Sequence, residues 1–318
     1  MWRAFLVLGV LGGTAAAAPR AESMSFGAHS IIVPSKKLAY VMTESSKKPE
    51  LVAVDLATGK RRWTSTAALK PIGVRGDSLV ALDAAGTAML LDARTGAKAK
   101  QCTSIAGVTA PFVDGLGVGQ SASGYDDGKT LYLHWTRDTH YAGGAAPSPD
   151  EEARSRTHSE ATWAIDVAAC RAKKATLPSV APVNLPATTD IVTASGKTAR
   201  LERDAKTSSF TLIPASASKR IDLTEGDPTR TQASLSVDRR HVACGAPVKN
   251  IAVFDLETGA VAHPAPFHLG LPWIYVGKTI IAGGGAVRAL DAASGKVLWS
   301  VAERATGYDG PYPPSAAR

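Results

Sequence analysis

Long hydrophobic runs, C-x-x-C motifs and complete phosphate-binding signatures are all missing from this chain of 318 residues. No window after the first residues approaches the ~18 uninterrupted apolar residues of a membrane span, so no transmembrane anchor is expected in the mature protein. Only three cysteines occur, Cys102, Cys170 and Cys244. They permit at most one intramolecular disulfide, and any pairing, or none, is open at this level. None forms a C-x-x-C pair, which sets aside zinc and thioredoxin-type redox chemistry. The glycines Gly115, Gly117 and Gly119 in DGLGVGQSASG are not followed by the Lys-Ser/Thr of a phosphate loop. Alternate glycines suit a tightly packed inner strand instead. No G-x-S-x-G elbow exists, because GQSASG misplaces the second glycine.

What is present begins with Met1, Trp2 and Arg3, an apolar block from Ala4 to Leu11, and four alanines from Ala15 to Ala18. Charge, greasy core and small residues in that order describe a secretory signal peptide over residues 1–17, cleaved after Ala17. Periplasmic or secreted protein is the expectation. The formal charge is +8, with basic clusters at Lys36-Lys37, Lys47-Lys48, Lys60-Arg61-Arg62, Arg171 with Lys173 and Lys174, and Arg239-Arg240. They recur at turns along the chain and do not gather in one segment, which argues for solvated turn and outer-strand positions and against a nucleic-acid partner.

The strongest signal is internal repetition. Ala53 to Thr64 reads AVDLATGKRRWT, and Ala289 to Ser300 reads ALDAASGKVLWS. Shorter copies surround Asp92 with Gly96 and Asp255 with Gly259, and a decayed copy at Asp166 has Cys170 where glycine stands elsewhere. Physically this is a hairpin. An apolar strand ends in Asp, whose side chain can accept N–H groups from the turn; Thr or Ser assists, and Gly takes the positive φ. Another strand pair precedes each copy, as where Pro71 to Arg75 turns at Gly76-Asp77 into the strand starting at Ser78. Four short strands every 35–40 residues make a propeller blade.

The fold expected is therefore all-β, a β-propeller of four-stranded antiparallel blades spanning 18–301. Six units fall at 26–65, 69–102, 107–175, 180–225, 229–264 and 268–301, followed by a tail at 302–318. Seven is the alternative count, with Asp222 to Gly226 as an extra turn and the long third unit split. That third unit carries a polar loop insertion at 139–160. The fourth has Pro214 where Asp belongs and Ser218-Lys219 for Gly-Lys.

The motif at Ala53, Asp55, Thr58, Gly59, Lys60 and Trp63, repeated with Ser294 for Thr at Ala289, Asp291, Gly295, Lys296 and Trp299, resembles the PQQ-like, tryptophan-docking β-propeller repeat family. The resemblance implies that Trp63 and Trp299 pack against a neighbouring blade. Members of that family are either large quinoprotein dehydrogenases, with pyrroloquinoline quinone and calcium at the hub, or cofactor-free protein-binding scaffolds of outer-membrane assembly. This chain is short for the enzymes and lacks the adjacent cysteines that would stack on a quinone.

Candidate chemistry is sparse. His134, Asp138 and His140 share parity on one strand and could converge on a metal, without an evident fourth ligand. Asp150, Glu151 and Glu152 lie beside Arg154 and Arg156 and read as solvated charge. Gly283 to Gly285 read as a hairpin turn. No catalytic, cofactor-binding or metal residue is assigned. The expectation is an exported, monomeric, non-enzymatic propeller that binds a protein or envelope component through its loops, the 139–160 insertion first among them, with no cofactor. A reduced quinoprotein, and a hydrolase or lyase built from several blades, are the alternatives.

Overall fold

The computed structural model describes residues 21–26, 29–45, 48–105, 118–139, 150, 157–178, 188–193, 195–204, 206–207, 209–216, 220–223, 232–245, 251–265 and 272–303. The signal peptide, most of the 139–160 insertion and nearly all of the tail lie outside them. No helix among the described residues is long and apolar enough to cross a membrane.

The repeated turn forms as its chemistry requires. Asp55 Oδ1 accepts the N–H groups of Ala57 and Thr58 and the Thr58 hydroxyl, while Gly59, at φ 68°, returns its N–H to the Asp55 carbonyl. The Arg62 guanidinium, helped by these turn bonds, holds the Asp55 carboxyl below its usual range. The same bonds recur at Asp92, Asp255 and Asp291.

Each turn joins the last two strands of a sheet, and the described residues form six antiparallel sheets. The first holds β1 (Met24–Ser25), β2 (Ser30–Val33), β3 (Leu38–Ser45), β4 (Lys48–Asp55) and β5 (Arg61–Ser65). The second holds β6 (Lys70–Arg75), β7 (Ser78–Leu82), β8 (Thr87–Asp92) and β9 (Lys98–Ser104). The third runs through β10 (Val118–Asp126), β11 (Leu131–Thr139), β12 (Thr157–Asp166) and β13 (Arg171–Ala175). The fourth comprises β14 (Thr188–Val192), β15 (Thr198–Arg203), β16 (Phe210–Ile213) and β17 (Ile221–Asp222). The fifth comprises β18 (Gln232–Leu235), β19 (His241–Gly245), β20 (Ile251–Asp255) and β21 (Val261–Ala265). The sixth comprises β22 (Trp273–Val276), β23 (Thr279–Ala282), β24 (Ala286–Asp291) and β25 (Val297–Ala302). Within every sheet the strands pair in chain order. The fold is an all-β propeller. One boundary is corrected: the first unit starts before residue 26, because β1 adds a fifth strand to it.

Opening strands face the axis and closing strands face solvent. β2 is buried along its length and contacts β6, which in turn contacts β10, whereas β5, β13 and β25 are largely exposed. Apolar clusters fill the spaces between sheets one and two, two and three, four and five, five and six, and six and one.

Outer strands dock on the turn glycine of the next sheet. A Cβ on Gly96 would come within 2.5 Å of the Trp63 ring, and one on Gly59 within 2.5 Å of Trp299. Trp63 also donates its indole N–H to the Ala93 carbonyl, which the Tyr40 hydroxyl shares. On the fourth sheet Ile221 takes the tryptophan's part against Gly259. Between the second and third sheets the contact is covalent, a disulfide from Cys102 on β9 to Cys170. Cys170 stands at the glycine position with φ 56°. The third cysteine, Cys244, is buried on β19.

Candidate functional site

On the inner side of the opening strands lies the stretch of residues 21–26. β1 lies on the inner side of β2 and contacts both β6 and β10. Asp126 at the end of β10 accepts the N–H groups of Glu22 and Ser23. The Ser23 hydroxyl accepts the Val74 N–H, and the Ser25 hydroxyl donates to the Gly124 carbonyl. Phe26 is fully buried between the first and sixth sheets. Packing here is close: a Cβ on Gly124 would meet the Ile72 carbonyl oxygen at 1.6 Å, and one on Gly283 would meet that of Phe26 at 2.2 Å. Glycine in DGLGVGQSASG therefore serves strand packing at Gly124, while Gly115 and Gly117 lie outside the described residues.

At the end of the disc where opening strands begin, four buried polar residues converge from three sheets. Lys70 opens β6, His29 and Ser30 lead into β2, and Glu303 follows β25. Lys70 Nζ is 3.4 Å from His29 Nδ1, and the Ser30 hydroxyl donates a short hydrogen bond to Glu303. Burial pushes the Lys70 ammonium down to about 8, with the Glu303 charge opposing. A partly neutral amine beside an imidazole and a carboxylate can exchange protons. Sequence reasoning missed this group because Ser30 and Glu303 stand 273 residues apart; no spacing rule joins positions brought together only by closure of the ring.

The opposite end of the third sheet carries an open cleft of about 580 Å³. Its floor is Leu131, Ala164 and Ile165, all buried. Arg75 closes the back, tied to Asp126 at 2.5 Å and to the Gly128 carbonyl at 2.8 Å. Lys129 in the β10–β11 turn, and Arg171 and Lys173 on β13, supply further positive charge at the rim. The cluster Arg171, Lys173 and Lys174 thus does sit on an outer strand, and two of its members flank a concavity.

Of His134, Asp138 and His140, only the side chain of His134 is described. His134 on β11 has Nδ1 3.0 Å from the Thr162 hydroxyl, and its Nε2 lies 3.9 Å from Glu160, which is 3.6 Å from His158 Nε2. The side chain of Asp138 and all of His140 lie outside the described residues, as do Glu151 and Glu152. Among the described residues no group of three or more His, Cys, Asp or Glu could hold a metal ion. Gly283 to Gly285 form the β23–β24 turn, as expected, with Gly284 and Gly285 at positive φ.

No family model matches the sequence, and no curated protein does. Solved structures similar to the chain include BamB from Moraxella catarrhalis, at 15% identity over 87% of this chain with a TM-score of 0.26. The chain spans 60% of that protein's length. Others are the computationally designed Ika8 protein, at 11% identity over 89% of each chain with a TM-score of 0.32, and quinohemoprotein alcohol dehydrogenase from Comamonas testosteroni, at 11% identity over 89% of this chain and 68% of that one with a TM-score of 0.31. At such scores the fold assignment rests on the six sheets themselves.

Proposed function

We propose that this chain is an exported, non-enzymatic β-propeller that binds a protein or another component of the cell envelope in the periplasm or outside the cell. The observation that supports it is the filled axis. Residues 22–25 hydrogen-bond to the opening strands of the second and third sheets, so the chain's own backbone lines the inner side of those strands, and Phe26 anchors the stretch between the first and sixth sheets. The Asp, Thr and Gly of each repeat are used up in turns, and the docking residues in sheet contacts, which leaves the loops at the two ends of the disc for recognition. Fold by itself assigns no activity.

One observation favours a second reading, an enzyme with residues drawn from several sheets: the buried Lys70, His29, Ser30 and Glu303. The two readings separate by experiment. Protein purified from the native envelope, given pyrroloquinoline quinone and calcium, is expected to show no stoichiometric absorbance change and no dye-linked oxidation, and crosslinking in the envelope is expected to capture a partner. Quinone-dependent turnover, or hydrolytic activity lost in Lys70→Met, would overturn the scaffold reading.

A further inference from the structure

We propose that the cleft on the third sheet is a docking site for a short acidic segment of a partner protein, an extended stretch with carboxylates at alternate positions. This rests on the scaffold reading above and adds the chemistry of the partner and the place where it binds.

Three observations converge. The cleft has the volume of a site for a compact segment, within the roughly 300–1,000 Å³ of ligand clefts, and its concavity does not suit a flat bilayer surface. Its charges are uncommitted. Arg75 is held by Asp126, yet among the described residues Lys129, Arg171 and Lys173 are in no ion pair, and the one acid on the rim, Asp166, spends an oxygen on the Ala169 N–H. A lone cation on a surface means little; three unpaired ones around one concavity leave its charge to be matched.

The spacing sets the form of the partner. Arg171 and Lys173 are alternate residues of β13, so they leave one face of the strand together, about 6–7 Å apart at the usual strand rise. Carboxylates two residues apart on an extended peptide have that separation. Antiparallel topology puts the β10–β11 and β12–β13 turns at the cleft end of the sheet, and the end of β11 and start of β12 at the other.

The test is a titration of the full mature protein with a dye-labelled eight-residue peptide alternating Glu with Leu, followed by anisotropy at two salt concentrations. Saturable binding that weakens with salt is expected, and Arg171→Glu with Lys173→Glu should lower affinity by at least about tenfold. The milder Arg171→Gln with Lys173→Gln guards against misfolding and should give a smaller loss in the same direction. Lys60→Glu with Lys206→Glu makes the same change in net charge at exposed turns elsewhere and should leave binding intact. Equal loss from the remote pair would reduce the effect to overall charge and overturn the proposal. Equal binding of the Gln-for-Glu peptide would do the same, as would tighter binding of inorganic phosphate or of anionic lipid vesicles through the same two residues. Failure of the two readings is distinguishable: quinone-dependent turnover strikes the scaffold reading, whereas an envelope partner whose crosslinks map away from β13 and the β10–β11 turn strikes this inference alone.

Discussion

Trp299, near the end of the chain, lies against Gly59, near its beginning, so closely that a Cβ on the glycine would stand 2.5 Å from the indole Cγ. This contact joins the sixth sheet to the first. The same device recurs between the first and second sheets, where Trp63 lies against Gly96. Two separate demands fall on Gly59: positive φ for the turn, and no side chain where the ring must rest.

These demands can be told apart by experiment. Gly76 has φ 53° and nothing within 4 Å of its missing Cβ, so Gly76→Ala should cost only the backbone strain, about 1 kcal/mol. Gly59→Ala should cost clearly more, because Trp299 must also move. In a Trp299→Ala background the extra cost should vanish and Gly59→Ala should fall to the Gly76 value, a coupling readable in urea melts as a double-mutant cycle. Additive costs would mean that the sixth sheet does not dock on the first through this pair.

The disulfide between Cys102 and Cys170 does for sheets two and three what tryptophan does elsewhere, and it spans 68 residues. Opening it with reductant should lower stability by about 2–4 kcal/mol. Cys170 holds a glycine's φ, so in a Cys102→Ser background Cys170→Gly should be more stable than Cys170→Ser. Melts of the two double variants decide the order; the reverse order would remove backbone strain from the account of this turn.

Removing the aromatic ring of the N-terminal stretch tests the filled axis. Phe26 is fully buried, and Phe26→Ala should cost about 3–5 kcal/mol, while Ser25→Ala, which deletes only the bond to Gly124, should cost about 1 kcal/mol. A near-neutral Phe26→Ala in denaturant melts would take the stretch out of the hub and reopen that space to a ligand.

How much of this was legible in the sequence follows from the range of each interaction. The turn at Gly76-Asp77 and the Asp-x-x-Thr-Gly hairpins are closed within five residues, and their residue types alone specify them. Docking by Trp63 and Trp299 was legible because the resemblance named it. Ile221 against Gly259 was not, since an aliphatic residue in a weak repeat carries no mark of its partner. Cys170 was visible as a missing glycine, but its bond to Cys102 depends on two sheets lying side by side. The entry of β1 into the hub, and the gathering of Lys70, His29 and Glu303, depend on the closed ring and have no sequence period. The cleft stands between these cases: Arg171 and Lys173 read as an outer-strand cluster, while the concavity they flank depends on how β6, β11 and β12 pack.

Lys70 gives the protein a pH dependence whose sign is fixed by its burial. The amine is packed against His29 from the approach to β2 and feels Glu303 beyond β25; inside the fold its value falls to about 8, from 10.5 in the unfolded chain. Below pH 8 both states carry the proton, and the cost of burying the charge is fully present. Between 8 and 10.5 the unfolded chain binds more protons than the folded one, so stability rises with pH, by about 3 kcal/mol if the whole window is crossed. The buried Tyr40 hydroxyl, whose value burial raises, works the other way above about pH 10, because the folded state then keeps a proton that the unfolded state releases. Urea melts at pH 7.5 and 9.5 therefore isolate the lysine: wild type should gain stability over that interval, and Lys70→Met should lose the gain whatever its absolute stability. Equal slopes for the two proteins would mean that Lys70 keeps its proton in the fold, and with it would go the partly neutral amine on which the enzymatic alternative depends.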